Sequence, residues 1–288
     1  MRFLIISEYK ELKMQILNKL LRNFKSIPSA FNNGSSIVDR SPSNAAQISS
    51  RIESLFSMDN EYLQSRIRYN DKFNLLYLNV PKSGCTTIKK AIFETSTGVK
   101  YSHNIQFKKT ISGSFRVNRH ALRSVTDDTF IFTVVRNPAV RLFSTYYDKV
   151  VGGKNGDPRI LKQIVDAFGE TGEVNFFEFI DFVASIPDND RNPHYQSLVG
   201  RTCIGSIDYN YVGCLEDPLS TFSYISNTLN YDFGFINSNS RKSHKVMDHF
   251  LTSEAYDRIY SIFKDDFEAF GYSSKYDERL CKPLGLTF

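Results

Sequence analysis

The chain has 288 residues, 41% of them hydrophobic, with 24 Phe and 16 Tyr, enough for one large α/β core or a core with appendages. Its 36 Lys and Arg against 31 Asp and Glu leave a formal charge of +5, which suits an anionic ligand and falls far short of a nucleic-acid footprint. No apolar run reaches the ~18 residues of a membrane span, and residues 3–6, interrupted by Glu8, are too short for a signal-peptide core.

Because it begins with Met1 and has no anchor, the sequence reads as a soluble, cytoplasmic chain; a trimmed piece of a longer protein is the other reading. Cys85, Cys203, Cys214 and Cys281 lack Cys-x-x-Cys spacing, which argues against zinc or a redox pair. Cys203 and Cys214 could pair in an oxidising compartment; buried thiols are the preferred reading.

Residues 1–24 can be drawn as a basic amphipathic helix with Met14, Leu17, Leu20, Leu21 and Phe24 on one face. Residues 26–50, rich in Ser, Asn and Pro, read as a linker, and residues 52–67 as weakly helical. The main domain is expected to start at Phe73. That divides the chain into an N-terminal segment, 1–72, and a domain, 73–288.

The most informative stretch is residues 75–94, LLYLNVPKSGCTTIKKAIFE. A short apolar run suits a buried strand, and Ile88, Ala91 and Ile92 recur at helical spacing until Gly98 offers a stop. Between them lies a loop of small and hydroxyl residues around Lys82. Strand, tight loop and helix together aim free N–H groups and a helix dipole at one point, which favours an anion. The competing reading is an ordinary βα turn. The order Gly-x-x-x-x-Gly-Lys-[Ser/Thr] is absent, because here the lysine precedes the glycine.

A polar segment follows, then a second strand, residues 130–135, FIFTVV, which ends in Arg136-Asn137-Pro138. Asn137 can cap and Pro138 can open a helix whose apolar face is Ala139, Phe143, Tyr146 and Val150. A nucleotide triphosphatase would normally place an Asp at such a strand end to hold Mg²⁺. An arginine there binds anions instead, and Arg136 with Ser144 can form a second phosphate site. Residues 152–157 read as a flexible turn, 174–185 as an aromatic core helix, and 253–271 as a helix with Gly271 at its end.

Two of these motifs resemble a known family. Residues 81–87, PKSGCTT, resemble the 5′-phosphosulfate loop of sulfotransferases, above all the membrane-type carbohydrate sulfotransferases, whose pattern is Pro-Lys-x-[Ala/Gly]-x-[Ser/Thr]-[Ser/Thr]. Residues 136–147, RNPAVRLFSTYY, resemble that family's 3′-phosphate motif, Arg-[Asp/Asn]-Pro-x-x-Arg-x-x-Ser-x-Tyr. Residues 193–216 resemble its run from His-Trp to Gly-x-x-Glu, with Tyr195 in place of Trp, and residues 266–272 match as well. The resemblance covers roughly residues 73–272.

It implies a three-layer α/β/α fold with a mainly parallel sheet, like the P-loop-related sulfotransferases; the order of strand and helix signals points to α/β independently. It further implies transfer of a sulfuryl group from 3′-phosphoadenosine 5′-phosphosulfate (PAPS) to a hydroxyl, on a carbohydrate or another acceptor, without a metal. Lys82 would face the leaving oxygen. Ser83, Gly84, Cys85, Thr86 and Thr87 would hold the 5′-phosphate, and Arg136 and Ser144 the 3′-phosphate.

His120 is the expected general base, with His103 and His194 as runners-up. His194 and Glu216 are expected to touch the acceptor, although Glu216 could equally cap an element. His244 and His249 read as surface residues. A P-loop-type nucleotide kinase and a non-catalytic glycan- or nucleotide-binding relative remain the alternatives. The acceptor and the oligomeric state are not legible.

Overall fold

The computed structural model describes residues 49–152, 158–169, 174–233 and 246–276. The amphipathic helix and nearly all of the linker read at the N-terminus lie outside these residues, as do most of the 152–157 turn, His244 and Cys281.

The sheet has four strands in chain order: β1 (Ile67–Asn70), β2 (Leu75–Leu78), β3 (Phe130–Val135) and β4 (Tyr211–Cys214). β1 pairs antiparallel with β2, while β2–β3 and β3–β4 are parallel. Every residue of β2 and β3 is buried, which is why both read as unbroken apolar runs instead of alternating ones.

The helices that matter here, in chain order, begin with α1 (Glu53–Phe56) and α2 (Asn60–Arg66), followed by α3 (Cys85–Thr97) and α4 (Arg119–Leu122). After β3 come α5 (Pro138–Tyr146), α6 (Pro158–Phe168), α7 (Phe176–Ser185) and α8 (Leu198–Thr202). The chain then adds α9 (Pro218–Leu229), α10 (Met247–Phe250) and α11 (Ser253–Ala269).

On one face of the sheet, Leu75, Tyr77, Phe130, Phe132 and Val134 pack against Ile88, Ile92 and Phe93 of α3 and Phe222 and Ile225 of α9. On the other, Leu76, Leu78 and Ile131 meet Leu55, Leu63, Ala121 and Leu122. Val80 and Val135 enter the largest cluster with α5, α7 and α11. Helix, sheet and helix make three layers, as expected.

Local chemistry sets the boundaries. Asn137 accepts from the N–H groups of Ala139 (2.9 Å) and Val140 (3.3 Å), and Pro138 opens α5, so the chain turns into helix as soon as β3 ends. Asn175 and Glu178 form a reciprocal capping box at the start of α7. Gly98 ends α3 in the left-handed region, at φ 69°.

β1 lies ahead of Phe73, where the sequence reading begins the domain. Its signal is weak because it carries Arg68 and Asn70, which are buried through hydrogen bonds. Arg68 donates to the carbonyls of Gln64 and Ile67, and Asn70 to Ser96 Oγ and the carbonyl of Gly113. A strand with buried polar residues does not show a hydrophobic period.

Candidate functional site

The parallel strands β2 and β3 end side by side, and each delivers its motif there. After β2 the chain bends through Lys82 at φ 68° and Gly84 at φ 74°, two left-handed residues on either side of Ser83, and α3 begins at Cys85. Gly84, as the residue before the helix, has no side chain to cap it, so the helix dipole and the backbone at its start face outward from the loop.

The glycine is required twice over. Its φ suits glycine, and a Cβ at this position would lie 2.7 Å from Leu215 Cδ1. Beside it, Ser83 is fully buried and its Oγ has no hydrogen-bond partner among the described residues. An enclosed hydroxyl without a partner, next to uncapped helix N–H groups, fits an incoming oxyanion. Thr86, Thr87 and Cys85 stand half-buried around the same helix start.

The second motif meets the first directly. Arg136 Nη1, from the end of β3, donates to the carbonyl of Lys82 at 3.3 Å. The Lys82 ammonium forms an ion pair with Asp148, in a π-helical turn (Tyr147–Val151) that follows α5. Such turns recur at functional sites. Ser144 alone among the nine residues of α5 is not buried, so its hydroxyl lies on the helix's open side.

Behind the loop, a group of buried arginines ties the main chain in place. Arg141 donates to the carbonyls of Pro81, Gln196 and Pro193, at 3.1, 2.6 and 3.0 Å. Arg201 reaches the carbonyl of Asn79 at 3.2 Å. Burial lowers the pKa of the Arg141 guanidinium to about 10, still well above neutral. In the sequence Arg141 shows only as the second arginine of Arg-Asn-Pro-x-x-Arg, and that spacing does not reveal its role as a brace.

The histidines are more scattered. His120 is exposed in the short helix α4. The turn after α4 is tied to the strand starts, where Tyr69 Oη donates to the carbonyl of Ser124 and Thr129 Oγ1 to Asn74 Oδ1. His103 is exposed beside Gln106 and Tyr101. His194 is half-buried, its Nδ1 2.8 Å from Asn192 Oδ1, and its carbonyl accepts from Thr145, the neighbour of Ser144. His249 is exposed on α10.

Glu216 braces the site from below. Its carboxylate accepts from Asn137 N–H at 2.9 Å and from Tyr272 Oη at 3.0 Å, so it fixes the residue next to Arg136. Burial raises its pKa, against the pull of the Asn137 N–H and Arg136. Tyr195, in the position where the resembling motif carries Trp, is fully buried and donates to Gln163. Cys203 and Cys214 are free, half-buried thiols.

The sulfotransferase family's sequence profile matches residues 65–273, a span that takes in β1 and both phosphate motifs. Carbohydrate sulfotransferase 10 of Xenopus laevis is 24% identical over 74% of this chain and 68% of its own length. Carbohydrate sulfotransferase 14 of Danio rerio is 24% identical over 60% of this chain and 50% of its own. For carbohydrate sulfotransferase 12 of Xenopus laevis the figures are 22%, 70% and 59%. The chain therefore spans from half to about two thirds of the length of these relatives. No solved structure gives a significant match. With a profile match over residues 65–273, most of the chain, the chain belongs to the sulfotransferase family.

Proposed function

We propose that the protein transfers a sulfuryl group from PAPS to a hydroxyl of a carbohydrate. The observation that carries this reading is the contact between Arg136 and the main chain of Lys82, which joins two anion-binding motifs into one cradle. The unpartnered Ser83 hydroxyl and the crowded Gly84 support it, and so do the carbohydrate sulfotransferases among the relatives. Nothing favours a nucleotide kinase: β3 ends in Arg136, where a kinase would hold its metal with a carboxylate.

PAPS supplies, when bound, a sulfuryl group already activated by its phosphate leaving group. The residues of this chain bind, orient and neutralise. The N–H groups of residues 84–87 with the hydroxyls of Ser83, Thr86 and Thr87 would hold the 5′-phosphate, and Arg136 with Ser144 the 3′-phosphate. Lys82, swinging from Asp148, would neutralise the charge that builds on the leaving oxygen.

A general base would take the proton of the acceptor hydroxyl, and His120 keeps that assignment from the resemblance. The bond between Thr145 and the His194 carbonyl supports His194 as a second candidate. Comparing the pH–rate profiles of His120→Ala and His194→Ala discriminates between them. The base variant should lose its acidic limb, and a profile unchanged in both would remove both residues from the role.

The cradle itself is tested by calorimetry with adenosine 3′,5′-bisphosphate in EDTA, set against ATP with and without Mg²⁺. Selective metal-free binding of the bisphosphate, lost in Arg136→Ala, is the expected result. Binding of Mg·ATP alone would overturn the reading.

A further inference from the structure

Lys82, at the centre of the donor cradle, is held at both ends. Its carbonyl accepts from Arg136 Nη1 at 3.3 Å, and its ammonium is paired with the carboxylate of Asp148. The pair is largely sheltered, with side-chain exposures of 10% for Lys82 and 23% for Asp148. Lys149 approaches the same carboxylate oxygen, Asp148 Oδ2, at 3.5 Å, so one carboxylate serves two ammonium groups.

The turn that carries Asp148 has a defined shape. Tyr147–Val151 form the π-helical turn directly after α5, and the Gly152 N–H closes it on the Tyr147 carbonyl at 3.0 Å. A Cβ on Gly152 would lie 2.8 Å from the Asp148 carbonyl, so the turn closes this tightly over glycine alone.

A carboxylate is a poor neighbour for a cradle that must take a phosphosulfate. It repels the ligand, and it holds the cation that the ligand needs. For stability alone, a partly exposed ion pair is worth little. Asp148 and the donor's anion therefore compete for one ammonium. When Lys82 leaves, Lys149 stays beside Asp148 Oδ2, so the exchange strands no carboxylate and can run in both directions.

We propose that Asp148 is a positioning residue for product release. It takes Lys82 back once the sulfuryl group has gone, and so loosens the grip of the cradle on adenosine 3′,5′-bisphosphate. This rests on the donor reading above and adds to it a fixed second seat for Lys82.

The test follows adenosine 3′,5′-bisphosphate on the full chain by calorimetry and surface plasmon resonance. Asp148→Asn keeps the shape of the side chain and removes its charge. It should bind the bisphosphate about 10-fold more tightly than the wild type, with the gain in slower dissociation. Asp148→Glu, which keeps the second seat, should stay within about 3-fold of the wild type.

The gain must also depend on Lys82. In Lys82→Met, where no exchange is possible, adding Asp148→Asn should tighten binding by less than about 3-fold. A carboxylate that only repels would give an equal or larger gain without the lysine, and that result would overturn the proposal. So would weaker binding in Asp148→Asn, the sign expected of a residue that merely braces the turn. If the bisphosphate binds to none of the proteins, the donor reading fails and this proposal with it. If it binds all of them alike, this proposal fails alone.

Discussion

Arg141 Nε, one turn into α5, donates to the carbonyl of Pro81 at 3.1 Å, across the gap between the two phosphate motifs. The same guanidinium holds Gln196 and Pro193, so one side chain fixes the loop, the helix carrying Ser144 and the segment carrying His194. A lysine cannot reproduce three donors in a planar fork. Arg141→Lys should therefore cost about 3 kcal/mol in urea denaturation, the scale expected when one partner leaves a buried polar network. Affinity for adenosine 3′,5′-bisphosphate should fall with it. A variant of wild-type stability and affinity would show that the loop holds its shape without this brace.

Lys82 combines strain with charge. It is one of four described non-glycine residues with positive φ, at 68°, and its ammonium is paired with Asp148. Left-handed backbone costs a side-chain residue roughly 1 kcal/mol, and the strain is retained where a function needs that residue. Lys82→Gly should therefore be more stable than Lys82→Ala by roughly 1 kcal/mol. Both should lose turnover by about 100-fold or more, with the bisphosphate still bound. Equal stability of the two variants would mean that the loop relaxes and the strain is not real.

Much of this was legible beforehand, because the informative stretches carry strong local signals. Residues 130–138 announce a buried strand, a cap and a helix start in nine letters, and the structure places β3, Asn137 and α5 accordingly. What the sequence hid is polar and non-local. β1 could not be read because it buries two polar residues, Arg68, held by the carbonyls of Gln64 and Ile67, and Asn70, held by Ser96 and Gly113 far along the chain. The roles of Arg141 and Asp148 depend on strands and helices meeting, which no spacing rule encodes. Glu216, expected to touch the acceptor or to cap an element, holds the backbone N–H of Asn137, a contact between β4's end and β3's end that only the sheet order creates.

The buried Asp266 gives the fold a pH dependence of known sign. Burial raises its carboxyl from the ordinary value of 3.8 to about 7, against the pull of the Leu198 and Val199 N–H groups and Arg141. Between those values the folded chain keeps a proton that the unfolded chain has released. Its stabilising contribution is therefore complete below the unfolded value and is lost as pH rises through about 7. Glu216, also raised by burial, acts in the same direction. Asp266→Asn should flatten the decline of stability measured by denaturation from acid to neutral pH. A slope equal to that of the wild type would place the titration elsewhere.

Gly84 allows the sharpest test of how the cradle is shaped, because two separate penalties act on one added methyl group. One is conformational, since φ is 74°; the other is steric, since the new Cβ would press on Leu215 Cδ1. Leu215 is held by its N–H to the carbonyl of Val135, so relief has to come from its side chain, whose Cδ1 is the atom approached. Gly84→Ala should cost about 2 kcal/mol and weaken bisphosphate binding, with roughly half of the loss from each source. Trimming the neighbour separates them: adding Leu215→Ala to Gly84→Ala should recover the steric part and leave the conformational part. A double-mutant cycle measured by denaturation reads the coupling directly. Strictly additive effects would show that Leu215 does not limit the loop, and that the left-handed backbone alone demands glycine there.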